Sequence, residues 1–522
     1  MRGKMEVTLS PKVRNLFTSI LLTLLSAFLT SMAMPGFLTD IFIWFSLAFL
    51  FKALDDQRIL GKVLLSYLFG NIFLAITFFW QLPTLVEELP SVTNNFSSWV
   101  GLIAFILEVT IIGAPLYALF GLLYAVLKKF FEGNKLHYAL FTASLYTIIE
   151  YLRGLGPLGF TGGRLSDALY KETGLLQITS FTGTLGLVFL IVFVNALIYK
   201  LHSEKQQNSF LKTIAIIGVF YILNSLIFTF LVPIEGNEKS QKPFKIMALQ
   251  TNVSQEEKYF NDFNKLADRL LALADSAKES NEKVDLYVFP EAAFIIDVED
   301  VPTLKKKIED FVDNLKIPML VGYPVIGEKK YNQVRLVKPG EGFTGEFYAK
   351  IKLTPFAEIL PFPKIFGHFS FLKLIDYYNP GPEFHVFELK KRKFSVEICF
   401  ESFFPHISRK LVKNGAKFLI VVTNDGWFKQ KTALIQHFSE SIFRAVENRR
   451  YVLQISNTGI TGLIDPYGRI IKSLPIKKEC FSVFEVYENR EVTFYNKYGD
   501  WFVILTLMIL IFIPCIRRWI SR

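Results

Sequence analysis

Long apolar segments near the two ends of the chain constrain its fold more than any other feature. They fill blocks between positions 13 and 232 and again at 499–516, whereas residues 244–490 have the mixed composition of a soluble domain. The 522-residue chain is 51% hydrophobic and contains 53 phenylalanines. Such a composition is too apolar for an ordinary soluble protein. The pattern predicts a membrane protein that carries one sizeable globular domain.

Eight apolar segments are candidates for membrane-spanning helices, seven before the globular domain and one after it. They lie at residues 13–33, 37–53, 60–82, 98–127, 136–152, 174–199, 211–232 and 499–516. The sequence therefore predicts an α-helical transmembrane bundle of eight spans. The predicted parts are a membrane domain with seven helices at 1–235, a globular domain at 244–490, and a last helix with its cytoplasmic tail at 497–522.

Positive charge alternates between successive loops. Lys and Arg cluster before the first segment and in the loops near 52–62, 128–135 and 200–212, whereas the loops at 34–37 and 83–97 contain neither. Loops rich in Lys and Arg stay in the cytoplasm. The globular domain is therefore predicted on the periplasmic, extracytoplasmic side. The net charge of +11 therefore indicates contacts of Lys and Arg with anionic lipid headgroups rather than with nucleic acid.

Within the globular domain, short apolar runs alternate with helix-like stretches. The runs are FKIMALQTN, VDLYVF, PMLVGYPVI, FSVEICF, KFLIVVT and YVLQISN, and the helix-like stretches lie at 255–281, 302–315 and 432–449. Strands that alternate with helices are typical of α/β domains with largely buried strands. The domain is also long enough to bury a core of its own.

Three reactive side chains lie in or directly after apolar runs of this domain. Cys399 ends the run SVEIC, Glu291 follows LYVFP, and Lys350 lies in YAKIKLTPFAE. Ligands of open α/β sheets bind at the carboxyl ends of strands. A thiol, a carboxylate and an amine are the groups needed for acyl transfer through a thioester. Alternation along the third run predicts a strand with Tyr348, Lys350 and Lys352 on one side.

Each of these side chains also has a simpler interpretation. Buried thiols are common in protein cores, a carboxylate at a strand end often caps the next segment, and lysines usually lie on solvated faces. The three cysteines, Cys399, Cys480 and Cys515, suit neither a disulfide framework nor a CxxC metal site. Glu358 is expected to fold back and order Lys350. The joint occurrence of thiol, carboxylate and amine favours a catalytic site.

The same residues carry a resemblance. PEAAF with Glu291, KIKLTPFAE with Lys350 and EICFE with Cys399 are similar to the Glu-Lys-Cys triad of the nitrilase superfamily. Placed after seven spans and before one more, such a domain resembles the membrane-embedded apolipoprotein N-acyltransferase family. Further similar segments are EYLR at 150–153, QITSFTGTLGL at 177–187, TNDGWF at 423–428, QHF at 436–438, RAVENRR at 444–450 and NTGITGLID at 457–465. The resemblance implies an α/β nitrilase-like α-β-β-α sandwich.

The resemblance also implies an activity and a location. Members of the family transfer a fatty acyl chain from a membrane phospholipid, through a cysteine thioester, to the N-terminal α-amine of S-diacylglyceryl-cysteine in apolipoproteins. This reaction is the last step of bacterial lipoprotein maturation. The expected location is the bacterial inner (plasma) membrane, as a multi-pass protein. Soluble nitrilases tend to pair, but the membrane mounting of this chain favours a monomer. Neither a metal nor an organic cofactor is expected.

The same resemblance assigns roles to single residues. Cys399 is the expected nucleophile and Glu291 the general base. Lys350 is expected to favour the thiolate and, with the backbone N–H of Phe400, to stabilise the tetrahedral oxyanion. Glu358 is expected to orient the lysine.

Supporting and substrate-binding roles follow for residues around the triad. Glu401 is expected to position the site or the incoming amine, and Tyr259 and Trp427 to line the acyl pocket. A plain core position is an equally good interpretation of Trp427. The chain departs from the family where Phe400 replaces a frequent tyrosine and Tyr259 a frequent tryptophan. Both replacements keep an aromatic face for acyl chains but change the hydrogen-bonding groups.

Two other functional classes explain part of the sequence. A membrane-tethered nitrilase-type amidohydrolase has the same triad with water as the second acceptor, but a soluble amide substrate gives no reason for eight spans. A transporter whose outer domain only binds a ligand requires polar residues in mid-membrane and paired repeats. Glu108 is the clear candidate for such a polar residue, and the sequence shows no internal repeat.

Overall fold

The computed structural model describes residues 10–92, 97–203, 208–232, 242–260, 262–279, 283–368 and 377–520. Arg2 and Lys4, which contribute to the predicted orientation, lie outside these ranges.

Helices form most of the N-terminal part and the C-terminal end. The longer helices are Pro11–Met32, Ser46–Asp55, Ile59–Thr77, Ser98–Leu107, Pro115–Leu127, Lys135–Arg153, Thr184–Ser203, Ser209–Leu231 and Trp501–Ile520. Short turns of helix lie at Asp40–Trp44, Gln81–Pro83, Thr84–Glu88, Leu89–Val92, Glu108–Gly113, Lys128–Phe130, Leu165–Leu169, Thr173–Leu176 and Thr179–Thr182. Ser10 and Asn134 begin two of the long helices, because their side-chain oxygens accept from free backbone N–H groups.

Five helices within the described ranges are long and apolar enough to cross a membrane. They are Lys12–Met32, Ile59–Thr77, Ser98–Phe130, Thr184–Ser203 and Ser209–Leu231. The third contains the π-helical turn Glu108–Gly113, so two of the shorter helices form one long one. The prediction of a helical membrane domain before the globular domain is confirmed at this coarser level.

The other three predicted spans differ from simple long apolar helices. The segment at 37–53 forms a 3-10 turn and the 10-residue helix Ser46–Asp55, because the backbone of Phe45 is not helical. Helix Lys135–Arg153 has the length of a span, but it mixes apolar with polar side chains and is buried along most of its length. The last apolar stretch, Trp501–Cys515, is shorter. The count of eight spans stays a prediction.

The middle domain contains two six-stranded sheets. The strands are β1 Phe244–Gln250, β2 Leu286–Val288, β3 Met319–Ile326, β4 Lys330–Lys338, β5 Gly342–Ala349, β6 Phe387–Leu389, β7 Arg392–Ile398, β8 Phe418–Thr423, β9 Val452–Ser456, β10 Gly462–Ile464, β11 Ile470–Ser473 and β12 Cys480–Val486. The strand orders are β12-β1-β2-β3-β4-β5 and β11-β10-β9-β8-β7-β6. The central strands β1-β2-β3 and β7-β8-β9 run parallel.

The two sheets pack face to face, and helices cover their outer faces. The ring of Phe244 in β1 lies 6.1 Å from that of Phe394 in β7 and 5.5 Å from that of Phe418 in β8. In β1, Met247 and Leu249 point to the opposite face and pack in a second cluster with the helices Phe263–Glu279 and Pro302–Leu315. The outer helices are Phe263–Glu279, Pro302–Leu315, Pro405–Lys413 and Lys431–Asn448. The predicted α-β-β-α layering is confirmed.

The middle domain packs directly on the membrane helices. Trp80 donates its indole N–H to Gln436 Oε1 at 2.8 Å, and the Gln436 amide donates to the Thr77 carbonyl at 3.1 Å. Gly36 has a φ of +84°, and a Cβ there would lie 2.9 Å from the Thr432 Cα. A glycine is therefore required at this contact. One apolar core extends from the membrane helices into both sheets.

Candidate active site

Cys399 begins a tight turn at the end of β7. The strand ends at Ile398, and Cys399 has a φ of +52°, in the left-handed region. Such a conformation costs a non-glycine residue about 1–3 kcal/mol. The Ser402 hydroxyl donates to the Cys399 carbonyl at 3.0 Å, and the Ile398 N–H donates to Glu401 at 2.8 Å. These bonds hold the strained backbone that carries the thiol.

Glu401 joins this turn to the segment after β5. Its fully buried carboxylate accepts from the backbone N–H groups of Ile351 and Lys352 at 2.7 and 3.1 Å and from the Tyr348 hydroxyl at 2.9 Å. A carboxylate that receives several donors in a buried site is strongly held. Glu401 is thus placed to fix the turn that carries Cys399 relative to the segment that carries Lys350.

The predicted strand with Tyr348, Lys350 and Lys352 on one side is wrong. Strand β5 ends at Ala349, and the next residues form a bend. The physical reason is the Glu401 carboxylate, which takes backbone N–H groups that a neighbouring strand would otherwise need. Lys350 therefore lies just beyond the strand end.

Replacement of Glu401 by glutamine tests this link. The amide presents N–H donors where the carboxylate accepted several, so a buried donor is left unpaired at a cost of about 1–3 kcal/mol. We expect a lower melting temperature and slower iodoacetamide alkylation of Cys399. The control is Glu346→Gln, which breaks a partly exposed ion pair with Lys338 and costs about 0–1 kcal/mol. Equal effects of the two variants would contradict the link.

Lys350 lies between two carboxylates. Its ammonium is 3.3 Å from Glu291 Oε1 and 2.8 Å from Glu358 Oε2, and its side chain is 2% exposed. Asn332 of β4 donates its amide to Oε1 of both Glu291 and Glu358, at 2.9 Å each. The Asn424 N–H donates to the other oxygen of Glu291 at 2.9 Å. Both carboxylates are therefore fixed by hydrogen bonds as well as by the lysine.

Burial and these charges decide the protonation of the site. Burial opposes the charge of Lys350, but Glu358 and Glu291 raise its pKa above the usual value, so it stays an ammonium. Burial and the Glu291 charge raise the pKa of Cys399 well above its usual value, and the opposing effect of Lys350 is smaller. The resting cysteine is therefore a neutral thiol, so it can act as a nucleophile only if a base takes its proton.

A second buried lysine supports the backbone next to Glu291. Lys258, on the short helix Gln255–Phe260, is 2% exposed and donates to the Ala292 carbonyl at 2.7 Å. Ala292 has a φ of +44°. Burial lowers the pKa of Lys258 to about 8, although the Glu291 charge raises it. The sequence does not predict this role, because a lysine in a polar stretch before Tyr259 is typical of a solvated position.

The lowered pKa of Lys258 gives a pH-dependent prediction. The unfolded chain binds the lysine proton more tightly, so the wild type gains stability as pH rises from about 8 to about 10.5. The variant Lys258→Met lacks this gain. The melting temperature of the wild type is thus expected to rise relative to that of the variant between pH 8 and 10. A difference that stays constant over this window would contradict the assignment.

Aromatic side chains lie where the site meets the membrane helices. Phe400 stacks on Phe160, with centroids 5.5 Å apart and an angle of 10° between the rings. The half-exposed Tyr259 lies 6.1 Å from Trp427, and the Trp427 carbonyl accepts from the Thr84 hydroxyl at 2.8 Å. The structure thus brings Tyr259 and Trp427 together at the junction of the two domains.

Two residues beside Cys399 were not among the predicted site residues. His437 Nε2 lies 3.1 Å from the Cys399 carbonyl oxygen, and its Nδ1 lies 2.7 Å from Asp425 Oδ1. Asp425 and His437 lie in the segments TNDGWF and QHF, which were singled out only by their similarity to the family. The local sequence pattern does not predict that an aspartate at a strand end and a histidine on a helix lie next to Cys399.

The ligand atoms of Cys399, Asp425 and His437 all lie within 4.8 Å of one another. A thiol, a carboxylate and an imidazole are groups that Zn²⁺ binds. Hydrogen bonds already occupy both imidazole nitrogens. We therefore describe the three residues as a hydrogen-bonded group, and the expectation that no metal is needed stays a prediction.

Two family models match the chain. Residues 246–486 match "Carbon-nitrogen hydrolase" and residues 26–197 match "Apolipoprotein N-acyltransferase N-terminal domain". The first range covers the two-sheet domain with its three candidate catalytic residues, and the second covers most of the helical part.

Similar proteins include two curated apolipoprotein N-acyltransferases. That of Thermotoga maritima is 41% identical over 96% of this chain and 94% of its own length. That of Geobacter metallireducens is 31% identical over 69% of this chain and 70% of its own. Among solved structures, the nitrilase-superfamily member Nit3 of Saccharomyces cerevisiae is 19% identical, with a TM-score of 0.38, over 47% of this chain and 91% of its own.

Proposed function

The chain belongs to the apolipoprotein N-acyltransferase family, and on this basis we propose that it transfers a fatty acyl chain from a membrane phospholipid to an apolipoprotein. The acceptor is the N-terminal α-amine of an S-diacylglyceryl-cysteine. The observation that carries this proposal is the group of Cys399, Glu291 and Lys350, whose domain packs directly on membrane helices. We assign the triad to a ping-pong reaction through a thioester.

In the first half-reaction, the Cys399 sulfur attacks the ester carbonyl carbon of the phospholipid. Glu291 accepts the thiol proton as the carbon–sulfur bond forms, because the resting thiol is neutral. Lys350 and the backbone N–H of Phe400 donate to the oxyanion. The ester carbon–oxygen bond then breaks, Glu291 returns the proton to the leaving alkoxide, and a lysophospholipid departs. The acyl chain remains as a thioester on the cysteine.

In the second half-reaction, the neutral α-amine of the apolipoprotein attacks the thioester carbonyl. Glu291 accepts a proton from the amine nitrogen as the amide bond forms. The carbon–sulfur bond breaks, and the departing thiolate takes the proton back from Glu291. The cysteine thiol is restored. Glu358 keeps the ammonium of Lys350 in place throughout, through the contact at 2.8 Å.

The membrane setting supports lipid substrates on both sides of the exchange. Tyr259 and Trp427 lie at the junction with the membrane helices, where acyl chains can reach the site without crossing water. We propose a monomer of eight spans in the bacterial inner membrane, with the catalytic domain on the periplasmic side. The alternation of charge between loops supports this orientation.

The experiment that tests this function is intact-mass analysis of the purified full-length protein with a phospholipid of known acyl chains. We expect one acyl-sized mass increase, which hydroxylamine removes. A synthetic S-diacylglyceryl-cysteine peptide should then take the acyl group as an amide that resists hydroxylamine. Release of free fatty acid without an acceptor peptide would favour the membrane-tethered amidohydrolase. Absence of any adduct on folded protein would refute the phospholipid donor step.

A further inference from the structure

Each ring nitrogen of His437 lies next to a hydrogen-bond acceptor, and Nδ1 is closer to the Asp425 carboxylate, at 2.7 Å, than to the Thr423 hydroxyl, at 3.5 Å. His437 lies on helix Lys431–Asn448, is 3% exposed, and its Nε2 faces the Cys399 carbonyl oxygen at 3.1 Å. Phe403 stacks on the imidazole, with centroids 5.3 Å apart and 12° between the planes. A carbonyl oxygen cannot donate, so Nε2 must carry the proton of this hydrogen bond.

The other ring nitrogen also faces an acceptor. Asp425 Oδ1 accepts from the Thr423 hydroxyl at 3.0 Å, and its Oδ2 accepts from the Ser456 hydroxyl at 2.8 Å. The Ser456 oxygen itself accepts from the Gly459 N–H at 2.8 Å, which leaves its proton for Asp425. A carboxyl group that receives two hydroxyl donors is favoured as the carboxylate. Nδ1 of His437 must then donate to it at 2.7 Å.

From these contacts we propose that His437 is an imidazolium that positions Cys399. One N–H fixes the carbonyl of the strained nucleophile turn, and the positive charge lies beside the sulfur, with one ring nitrogen within 4.8 Å of it. The cation favours the thiolate as the proton leaves for Glu291. This inference rests on the proposed role of Cys399 as the nucleophile. His437 acts through the cysteine and is therefore a positioning residue.

The surroundings of His437 favour its charge. The titratable groups that face it are Asp425, Glu291 and the Cys399 thiol. Burial lowers the pKa of His437, but the Asp425 carboxylate and the Cys399 carbonyl raise it above the usual value. The stabilisation is therefore complete below the unfolded pKa of about 6.5 and is lost as pH rises through the higher folded value.

Alkylation by iodoacetamide tests the charge without any lipid. Its rate at Cys399, measured by peptide mass across pH 6 to 10, reports the thiolate. We expect His437→Gln to retain an amide N–H for the carbonyl but to alkylate about tenfold more slowly at pH 7.5, a shift of about one pH unit. Cys480 and Cys515 serve as internal references. The matched control is His406→Gln, an exposed histidine, with an unchanged Cys399 profile.

A purely structural role for His437 predicts a different result. The variant His437→Gln would then melt at a lower temperature but keep the wild-type pH profile of Cys399 alkylation, and this outcome overturns the proposal. If His437→Gln does not fold, Asp425→Asn replaces it, because the amide cannot stabilise an imidazolium. The same shift of about one pH unit is expected for that variant. An unshifted profile in folded Asp425→Asn also overturns the proposal.

Nitrogen NMR of the wild type gives an independent readout. The chain has six histidines, and the signal that changes in His437→Gln or Asp425→Asn identifies His437. We expect both ring nitrogens to be protonated at pH 7. A neutral imidazole there, or one metal ion per chain bound to this ring, contradicts the inference. Since neither readout needs phospholipid, failure of acyl transfer and failure of the imidazolium assignment are distinguishable.

Discussion

Replacing Cys399 with alanine is expected to abolish the phospholipid-dependent mass increase and to lower acyl transfer by a factor on the order of 10⁴ or more. The reason is that alanine offers no nucleophile to hold the acyl chain, while Glu291 and Lys350 remain in place. Intact-mass analysis after incubation with phospholipid measures the adduct, and transfer to the diacylglyceryl peptide measures turnover. The melting temperature should change little, since alanine is smaller and apolar.

The matched control for this variant is Cys480→Ala. Cys480 begins β12 and is one of three free cysteines, but it lies in the sheet far along the chain from the triad. The variant Cys480→Ala should form the same acyl adduct with phospholipid as the wild type. A hydroxylamine-sensitive adduct that persists in Cys399→Ala and disappears in Cys480→Ala would reassign the nucleophile.

Replacing Lys350 with methionine is expected to have the largest effect on stability. The ammonium lies between Glu291 and Glu358 in a buried site, and its removal leaves two carboxylates close together without a counter-charge. Breaking a buried ion pair in this way costs about 3–5 kcal/mol. Acyl transfer should also fall by about 10²–10³-fold, because a donor to the oxyanion is lost.

Urea unfolding and the mass assay measure these two effects separately. Lowering the pH should restore part of the stability of Lys350→Met, because protonation of one carboxylate relieves the repulsion. Lys338→Met, which breaks a partly exposed ion pair with Glu346, should cost about 0–1 kcal/mol. If Lys350→Met is as stable and active as Lys338→Met, the proposed role of Lys350 is wrong.

The buried parallel strands were predictable from the sequence, whereas most of the antiparallel strands were not. The runs LYVF and KFLIVVT are apolar because β2 and β8 have neighbours on both sides and are buried throughout. The edge strand β11, Ile470–Ser473, is exposed at every position, and β6 has only three residues. Neither has the alternation or the length that marks a strand in isolation.

The residues of the site likewise divide into those that the sequence predicts and those that it does not. Cys399 and Glu291 were predicted because Cys399 directly follows β7 and Glu291 lies shortly after β2, where ligands of such sheets bind. Asn332 and His437 were missed because their partners lie 41 and 38 residues away in the chain. Contacts at that separation depend on how β4 and an outer helix pack, and a single sequence does not encode them as a local pattern.

The continuous apolar core between membrane helices and sheets has a consequence for how such an enzyme can be rebuilt. Phe78 and Trp80 on the membrane side belong to the same buried cluster as Phe403 and Phe438 on the catalytic side. The bundle is thus a structural part of the enzyme rather than a tether. Replacing the bundle with a single unrelated anchor helix would expose the apolar surface of the catalytic domain to solvent. The membrane helices and the domain should therefore be exchanged together.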